Sequence, residues 1–366
     1  MIVLIDGFSV AFRAFYALPE TLMTSTGTPT NVIHGFLSMI NKVVNDYDPK
    51  QIIITWDLPG KTFRNDIYKE YKANRSPAPD NFNVQIPLLH ELIESFNIPQ
   101  VSVEGHEADD VLGSLSNLFN QNNENVLIVT GDRDTFQLIT KKTNILYTKR
   151  GISDTDKVDE SFFKNKFGIK PSQYIEYLAL KGDPSDNIPG LAGVGEKTAI
   201  SLLQQYENID RIYKNLEELT PKLKNSFEEN KEILFISKEL AAIKTDLDLE
   251  LPTVKTSETA YLSDQVLLEA QEKVLNLELN KYTISQDENI EVENENDSKE
   301  DISENKNIEG KAYLLNFEEE IYFIQKDSFG KYIGKISDLK KLVFLNSQSI
   351  LEIIDEKINF EEAEAY

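Results

Sequence analysis

The stretch VLIVTGDRD, residues 126–134, decides the fold. A β-branched apolar run, too short for a helix, halts at Gly131 and is followed by Asp132 and Asp134. Runs of this kind read as strands buried on both faces of a parallel sheet. The pattern occurs twice upstream: IVLI at 2–5 runs into Asp6, and QIIITW at 51–56 runs into Asp57. Helical patterns lie between the runs, as in Val111, Leu112, Leu115, Leu118 and Phe119, which make one apolar stripe. Alternation of this kind predicts an α/β fold, an open and mostly parallel sheet covered by helices. From about residue 160 the text turns helical (SFFKNKF, PSQYIEYLAL, EKTAISLLQQY, NKEILFISKELAAI), which predicts a helical subdomain appended to the sheet. A helix at 263–282 is expected to close this body.

Ligands of open parallel sheets bind outside the carboxyl ends of the strands. Asp6, Asp57, Asp132 and Asp134 are therefore expected at one edge. GHEADDVLGSL, residues 105–115, follows the extended run PQVSV and adds Glu107, Asp109 and Asp110 at a helix start. The loop LKGDPSDNIPG, residues 180–190, adds Asp183 and Asp186. Any one aspartate after a strand can be a turn or cap residue, and a helix N-terminus tolerates acids. Nine acids at one edge exceed those uses: one like-charged pair 4 Å apart costs about 4 kcal/mol at an effective dielectric near 20. Bound cations remove the repulsion. The chain has no cysteine and only His34, His90 and His106, so the ligands are hard oxygens, suited to Mg²⁺ or Mn²⁺. Two such ions, with water completing their shells, serve in-line displacement at phosphorus. No G-x-S-x-G elbow, H-E-x-x-H pair or Walker lysine loop offers another chemistry, so a phosphate ester is the expected substrate.

The net charge of −24 argues at first against a nucleic-acid partner. Half of it, −12, falls in residues 286–366, leaving −12 for residues 1–285, where the acid cluster would be neutralised by cations. Residues 286–309 hold ten acids and two lysines, the composition of a disordered linker. The N-terminus MIVLIDG lacks a basic leader, and no apolar run approaches the roughly 18 residues of a membrane span. A soluble, cytoplasmic monomer is expected.

One basic island stands out. KTFRNDIYKEYKANR, residues 61–75, carries Lys61, Arg64, Lys69, Lys72 and Arg75 with Tyr68 and Tyr71 interleaved, a net of +3. Bases and aromatic rings in this arrangement can hold phosphates and stack on unpaired bases; a solvated amphipathic helix with core-facing tyrosines would read the same. GLAGVGEKTAISLL, residues 190–203, places Gly190, Gly193, Gly195 and Lys197 before a helix. This is either a hairpin gripping a DNA backbone or a plain glycine-rich turn.

Taken together, MIVLIDGFSVAFRAFYA, TWD, YKANR, GHEADDVLGSL, TGDRDTFQL, LKGDPSDNIPGLAGVGEKTA and ELAAIKTDLDLELP resemble, in order, the 5′-nuclease domain of bacterial DNA polymerase I. That domain belongs to the flap endonuclease superfamily, and the resemblance covers about residues 1–255. It implies a nuclease core at 1–160 and a helical DNA-binding subdomain at 161–284. It implies that Asp6, Asp57, Glu107, Asp109, Asp110, Asp132, Asp134, Asp183 and Asp186 form the metal site. Lys72 and Arg75 match basic gateway-helix positions near the scissile phosphate, and Tyr71 a neighbouring aromatic. Arg64 and Lys69 join the DNA contacts. The glycine loop matches a helix–three-turn–helix that grips duplex DNA and commonly holds K⁺. The implied substrates are DNA with a 5′ flap, a nick or an RNA primer, with a DNA polymerase as partner.

A linker at 285–310 and a fragment at 311–366 remain. KAYLLNFEEEIYFI suggests a hairpin and LKKLVFLNSQSILEII a strand then a helix, a weak likeness to the opening of a proofreading-like domain. No D-x-E pair is present there, so a poorly packed, inactive tail is expected, from a truncated polymerase I or a stand-alone nuclease. A PIN-type ribonuclease would normally lack the glycine hairpin and GDPSD. An aspartyl-phosphate phosphatase would want D-x-D where Asp6-Gly7-Phe8 stands, and a non-catalytic DNA-binding module would not need nine acids beside its basic segment.

Overall fold

A computed structural model describes residues 1–24, 27–150, 154–251, 312–317, 320–325 and 328–331. Residues 1–251 belong to one compact unit and the last three segments to another.

The first unit is built on a six-stranded sheet in the order β3-β2-β1-β4-β5-β6. Its strands are β1 (Ile2–Asp6), β2 (Gln51–Thr55), β3 (Gln100–Val101), β4 (Val126–Thr130), β5 (Thr143–Arg150) and β6 (Asp154–Val158). The first five are parallel, with Ile5 level with Ile54 of β2 and Val129 of β4. β6 pairs antiparallel with β5 at the edge. β1 and β4 are apolar and buried on both faces because helices cover both sides.

α1 (Gly7–Ala17) and α2 (Asn31–Tyr47) carry the chain from β1 to β2. α3 (Phe63–Ile67), α4 (Asp80–Asn83) and α5 (Gln85–Ser95) precede β3, and α6 (Ala108–Gln121) precedes β4. The expected stripe holds: Val111, Leu112 and Leu115 are fully buried and Phe119 nearly so. A 3-10 turn at Asp134–Leu138 follows β4. The helical region comprises α7 (Glu160–Phe167), α8 (Tyr174–Lys181), α9 (Glu196–Tyr206), α10 (Ile209–Lys214), α11 (Pro221–Glu229) and α12 (Lys231–Ala241). Its apolar residues run continuously into the sheet's core: Leu180, Leu203 and Phe227 belong to the same cluster as Leu4 and Ile128. Among the described residues no helix is long and apolar enough to cross a membrane.

β5 and the polar edge strand β6 (DTDKV) were not anticipated, since β6 lacks an apolar run. The expected basic helix is shorter than its sequence: only Phe63–Ile67 is helical, and residues 69–74 turn. In the second unit, β7 (Ala312–Phe317) and β8 (Glu320–Gln325) form the expected hairpin, and β9 (Ser328–Lys331) adds a third antiparallel strand. The helix expected at 263–282, the linker at 286–309 and the strand and helix at 339–354 lie outside the described residues.

After α12 an extended segment straps across α6. Its Lys244 carbonyl lies only 2.7 Å from where a Cβ on Gly113 would stand. Asn117 Nδ2 donates to the Thr245 carbonyl at 3.0 Å, and the Leu247 amide donates to Ser114 Oγ at 3.1 Å. Gly113→Val should cost about 1–3 kcal/mol by overpacking this seam. Urea unfolding measures it; unchanged stability would mean that the strap does not press on α6.

Candidate active site at the carboxyl edge of the sheet

The strand order reverses between β1 and β4, and the acids gather at that switch. Asp6 caps α1: its Oδ1 accepts the Ser9 amide at 3.1 Å, and its Oδ2 accepts the Thr130 hydroxyl at 2.7 Å. Ser9 Oγ in turn accepts the Gly131 amide at 2.7 Å, stitching α1 to the end of β4. Asp57, two residues beyond β2, accepts the Ala108 amide at 2.8 Å. Asp132 Oδ1 accepts the Asp134 amide at 2.9 Å. With Glu107 and Asp109 from the start of α6, these groups surround a cleft of about 350 Å³ whose other walls include Phe8, Phe12, Lys72 and Arg75.

The acids feel one another. Burial, with Asp57 and Asp132 adding to it, pushes the Asp6 carboxyl up to about 7 although Thr130 and Ser9 oppose the rise. Burial raises Asp109 well above the ordinary carboxylate range, reinforced by the charges of Asp132 and Asp6. Asp134 is raised likewise, by burial and then by Asp132, Asp183 and Asp186. Such a set, all hard oxygen and short of positive charge, fits divalent cations. Among the described residues no three of these side chains converge tightly enough to ligate one ion. An ion here would take few direct carboxylates and keep water, as Mg²⁺ does.

The basic segment enters the cleft from one side. Lys72 has φ 55°, an uncommon conformation for a lysine, and its amide donates to the Asp186 carbonyl at 3.0 Å. Its Nζ lies 2.8 Å from Glu107 Oε1 and 3.6 Å from Asp186 Oδ2. Arg75 Nη2 makes a short ion pair with Asp186 Oδ1. Burial opposes charge on Lys72, but Glu107 and Asp186 more than offset it and raise its pKa. Lys69 is exposed.

Three expectations need correction. Tyr71 is buried, and its hydroxyl meets Glu107 Oε2 at 3.1 Å and Asp186 Oδ2 at 3.3 Å, so its ring is no platform for a base. Arg64 is 2% exposed and cannot touch DNA; Nη1 and Nη2 grip Asp110 at 2.7 and 2.8 Å. Asp110 is consequently not among the cleft's acids. Its oxygens also accept the amides of Glu107 at 3.1 Å and Lys244 at 2.9 Å. Burial would raise its pKa, but Arg64 outweighs this and the carboxyl is lowered. The cause is helical geometry: Asp109 and Asp110 are consecutive, so they leave α6 in different directions. One faces the cleft and the other the core.

The GDPSD loop is closed by paired hydrogen bonds between Asp183 and Ile188. Asp183 Oδ1 accepts the Ser185 amide at 2.8 Å, so it acts locally as a turn residue while adding charge near Asp134. Asp186 serves the basic pair. Gly190, at φ 67°, packs so tightly that a Cβ would stand 2.4 Å from the Gly182 amide nitrogen. Gly193 is exposed in the same loop, Gly195 sits at the N-cap of α9, and Lys197 is exposed in its first turn. Sequence reasoning assigned no role to Ser9, Thr130, Phe8 or Phe12. The only signal for them was position, Thr130 at the end of β4 and the other three on the first turns of α1.

Two family models match consecutive parts of the chain: the 5'-3' exonuclease N-terminal resolvase-like domain at residues 1–168, and the 5'-3' exonuclease C-terminal SAM fold at 169–264. The DNA polymerase I of Caldicellulosiruptor bescii is 43% identical over 261 residues, 70% of this chain and 31% of that protein. That of Bacillus subtilis is 38% identical over 267 residues, 73% of this chain and 30% of that protein. The chain thus spans about a third of the length of these relatives. The T5 D15 protein, crystallised with metal ions, shares the fold at TM-score 0.53 and 20% identity, over 67% of this chain and 90% of its own. The bacteriophage T5 D15 flap endonuclease in complex with DNA and metal ions does so at 0.56 and 20%, over 67% and 89%. Matched at both domains, and aligned with the N-terminal region of bacterial DNA polymerase I, the chain belongs to the 5′-3′ exonuclease family.

Proposed function

We infer that the chain is a structure-specific 5′ nuclease, a 5′→3′ exonuclease and 5′-flap endonuclease that hydrolyses phosphodiesters in nicked, flapped or primer-bearing DNA. One observation carries this: acids from three strand ends and the start of α6 share a single cleft with Lys72 and Arg75. The T5 neighbour's complex with DNA and metal ions supports the same pair of ligands here. Asp6, Asp57, Glu107, Asp109, Asp132 and Asp134 would hold Mg²⁺ or Mn²⁺, with Asp183 and Asp186 contributing charge from the next loop. Held there, such ions would supply activation of a water nucleophile and stabilisation of the leaving oxygen.

The chain's own groups position the substrate. Lys72 and Arg75 receive the scissile phosphate, and Glu107 and Asp186 hold them ready for it. Ser9 and Thr130 fix Asp6, and the Ala108 amide fixes Asp57, so the acids keep their places as charge changes. Phe8 and Phe12 form an apolar wall that limits water. Lys69, and the α9 approach at Gly193, Gly195 and Lys197, meet the backbone of flanking duplex, contacts that position without reading sequence; K⁺ at that loop would aid the grip. A DNA polymerase is the proposed partner, in cis or in trans, in the bacterial cytoplasm.

Asp109→Asn and Asp132→Asn should each lower cleavage of a 5′-flap duplex in Mg²⁺ by about 10²-fold or more while DNA binding survives. Near-normal turnover in both variants would sink the site. Lys72→Ala should reduce the single-turnover rate, by about 10²-fold, far more than affinity; an unchanged rate would refute its phosphate role. The raised carboxyls also set a pH dependence. Their folded-state pKa values exceed the unfolded ones, so their contribution is complete below about pH 4 and is lost as pH rises through the folded values, which for Asp6 is about 7. The melting temperature in EDTA should therefore fall between pH 5 and pH 8. Mg²⁺ should restore it at pH 8 and change it little at pH 5. Calorimetry with and without the ion checks this, and equal Mg²⁺ effects at both pH values would contradict it.

A further inference from the structure

Beside the acid cleft lies a second cavity of about 540 Å³, lined mainly by apolar side chains. Phe8 and Asp57 belong to both walls. Trp56, Leu58, Ile86 and His90 make most of the rest. We propose that this cavity takes the unpaired nucleobase adjoining the phosphate held in the acid cleft. The inference rests on the nuclease function above.

The cavity has the chemistry of a base site. Trp56 is buried between Phe36, stacked on it at 5.8 Å, and His90, 4.3 Å away, so it backs the wall. The half-buried rings of Phe8, edge-on to Trp56 at 5.2 Å, and His90 are the ones that face the cavity. Polar groups fix one edge contact. Trp56 Nε1 can only donate, and it donates to Gln100 Oε1 at 2.9 Å. The same oxygen faces His90 Nδ1 at 2.7 Å, so Nδ1 carries a hydrogen. Gln100 Nε2 donates back to the His90 carbonyl at 3.1 Å, which fixes the amide's orientation. In its neutral tautomer His90 therefore offers Nε2 as an acceptor, and among the described residues Nε2 has no hydrogen-bond partner. An amino or imino N–H on a base edge fits that acceptor and its flat face fits the rings, whereas a phosphate offers neither.

Two further facts choose the occupant. Leu58, 42% exposed, adds bare apolar surface to this wall, as a site that is covered only when filled would. The shared wall of Phe8 and Asp57 places the cavity one step from the phosphate-handling cleft. A paired base has its edge and faces occupied in the duplex, so only the unpaired side of the strand can deliver one. That is the flap side of a flap junction.

The test uses the full chain and two 5′-flap duplexes, one with a normal first unpaired nucleotide and one abasic there. Dissociation constants are read by anisotropy in EDTA, and cleavage separately in Mg²⁺. Stacking of one base is worth about 1–3 kcal/mol, so the abasic flap should bind about tenfold more weakly. Ile86→Trp, which fills the cavity from α5, should abolish the difference while binding the abasic flap as the unaltered chain does. Equal affinities for the two flaps, or an unchanged ratio in Ile86→Trp, would overturn the proposal; a protein side chain as occupant would give this result. A preserved ratio without cleavage would overturn the nuclease function and leave the base site standing.

Discussion

Parallel pairing of β1 with both β2 and β4 is the constraint on which the site depends. All three strands leave the sheet at the same edge, so the acids that follow them cannot disperse. A pair of such charges 4 Å apart costs about 4 kcal/mol at an effective dielectric near 20, against a stability of roughly 5–15 kcal/mol. The protein meets that cost in two ways. Asp6, Asp109 and Asp134 hold protons to higher pH. Lys72 and Arg75 lie against Glu107 and Asp186.

The buried pair of Arg64 and Asp110 decides which acids take part. It joins α3 to α6, and Arg64 Nε and Nη2 also donate to the carbonyls of Leu240 and Ala242 at 2.9 and 2.8 Å. Desolvating two charges is costly, and a pair of this kind holds only when its remaining hydrogen bonds are satisfied. Here the end of α12 and the strap supply them. One ion pair thus places the basic segment, the start of α6 and residues 240–244 in register, leaving Asp109 to face the cleft.

Much of this was legible in the sequence, because strand-end aspartates and a buried parallel sheet follow from short-range pattern. Asp6, Asp57 and Asp132 needed only the rule about carboxyl ends. What was not legible depends on contacts far apart in the chain. Nothing around Arg64 separates a surface arginine from one buried against carbonyls about 180 residues away; only the fold brings Leu240 to it. Tyr71 fell to the same ambiguity, since an aromatic among bases reads alike whether it faces a ligand or the core. Asp110 could have been separated from Asp109 by helical periodicity alone, and three adjacent acids masked that signal. β6 was missed because a polar edge strand carries no apolar period.

The proposed function asks an acidic protein to handle a polyanion, which needs its charge to change as it works. In the cleft, Glu107 and Asp186 pair with the very side chains that would meet a phosphate. On the proposed function, divalent ions on the neighbouring acids would cancel the negative field there and loosen the hold of Glu107 and Asp186 on Lys72 and Arg75. A phosphate would then gain both the free cations and a neutralised approach. By linkage the converse must hold: substrate that binds the loaded cleft more tightly also tightens its ions. On the proposed function, the crowding that costs stability in the folded chain would couple metal binding to DNA binding. A cleft with fewer acids would fold more readily and would give up that coupling.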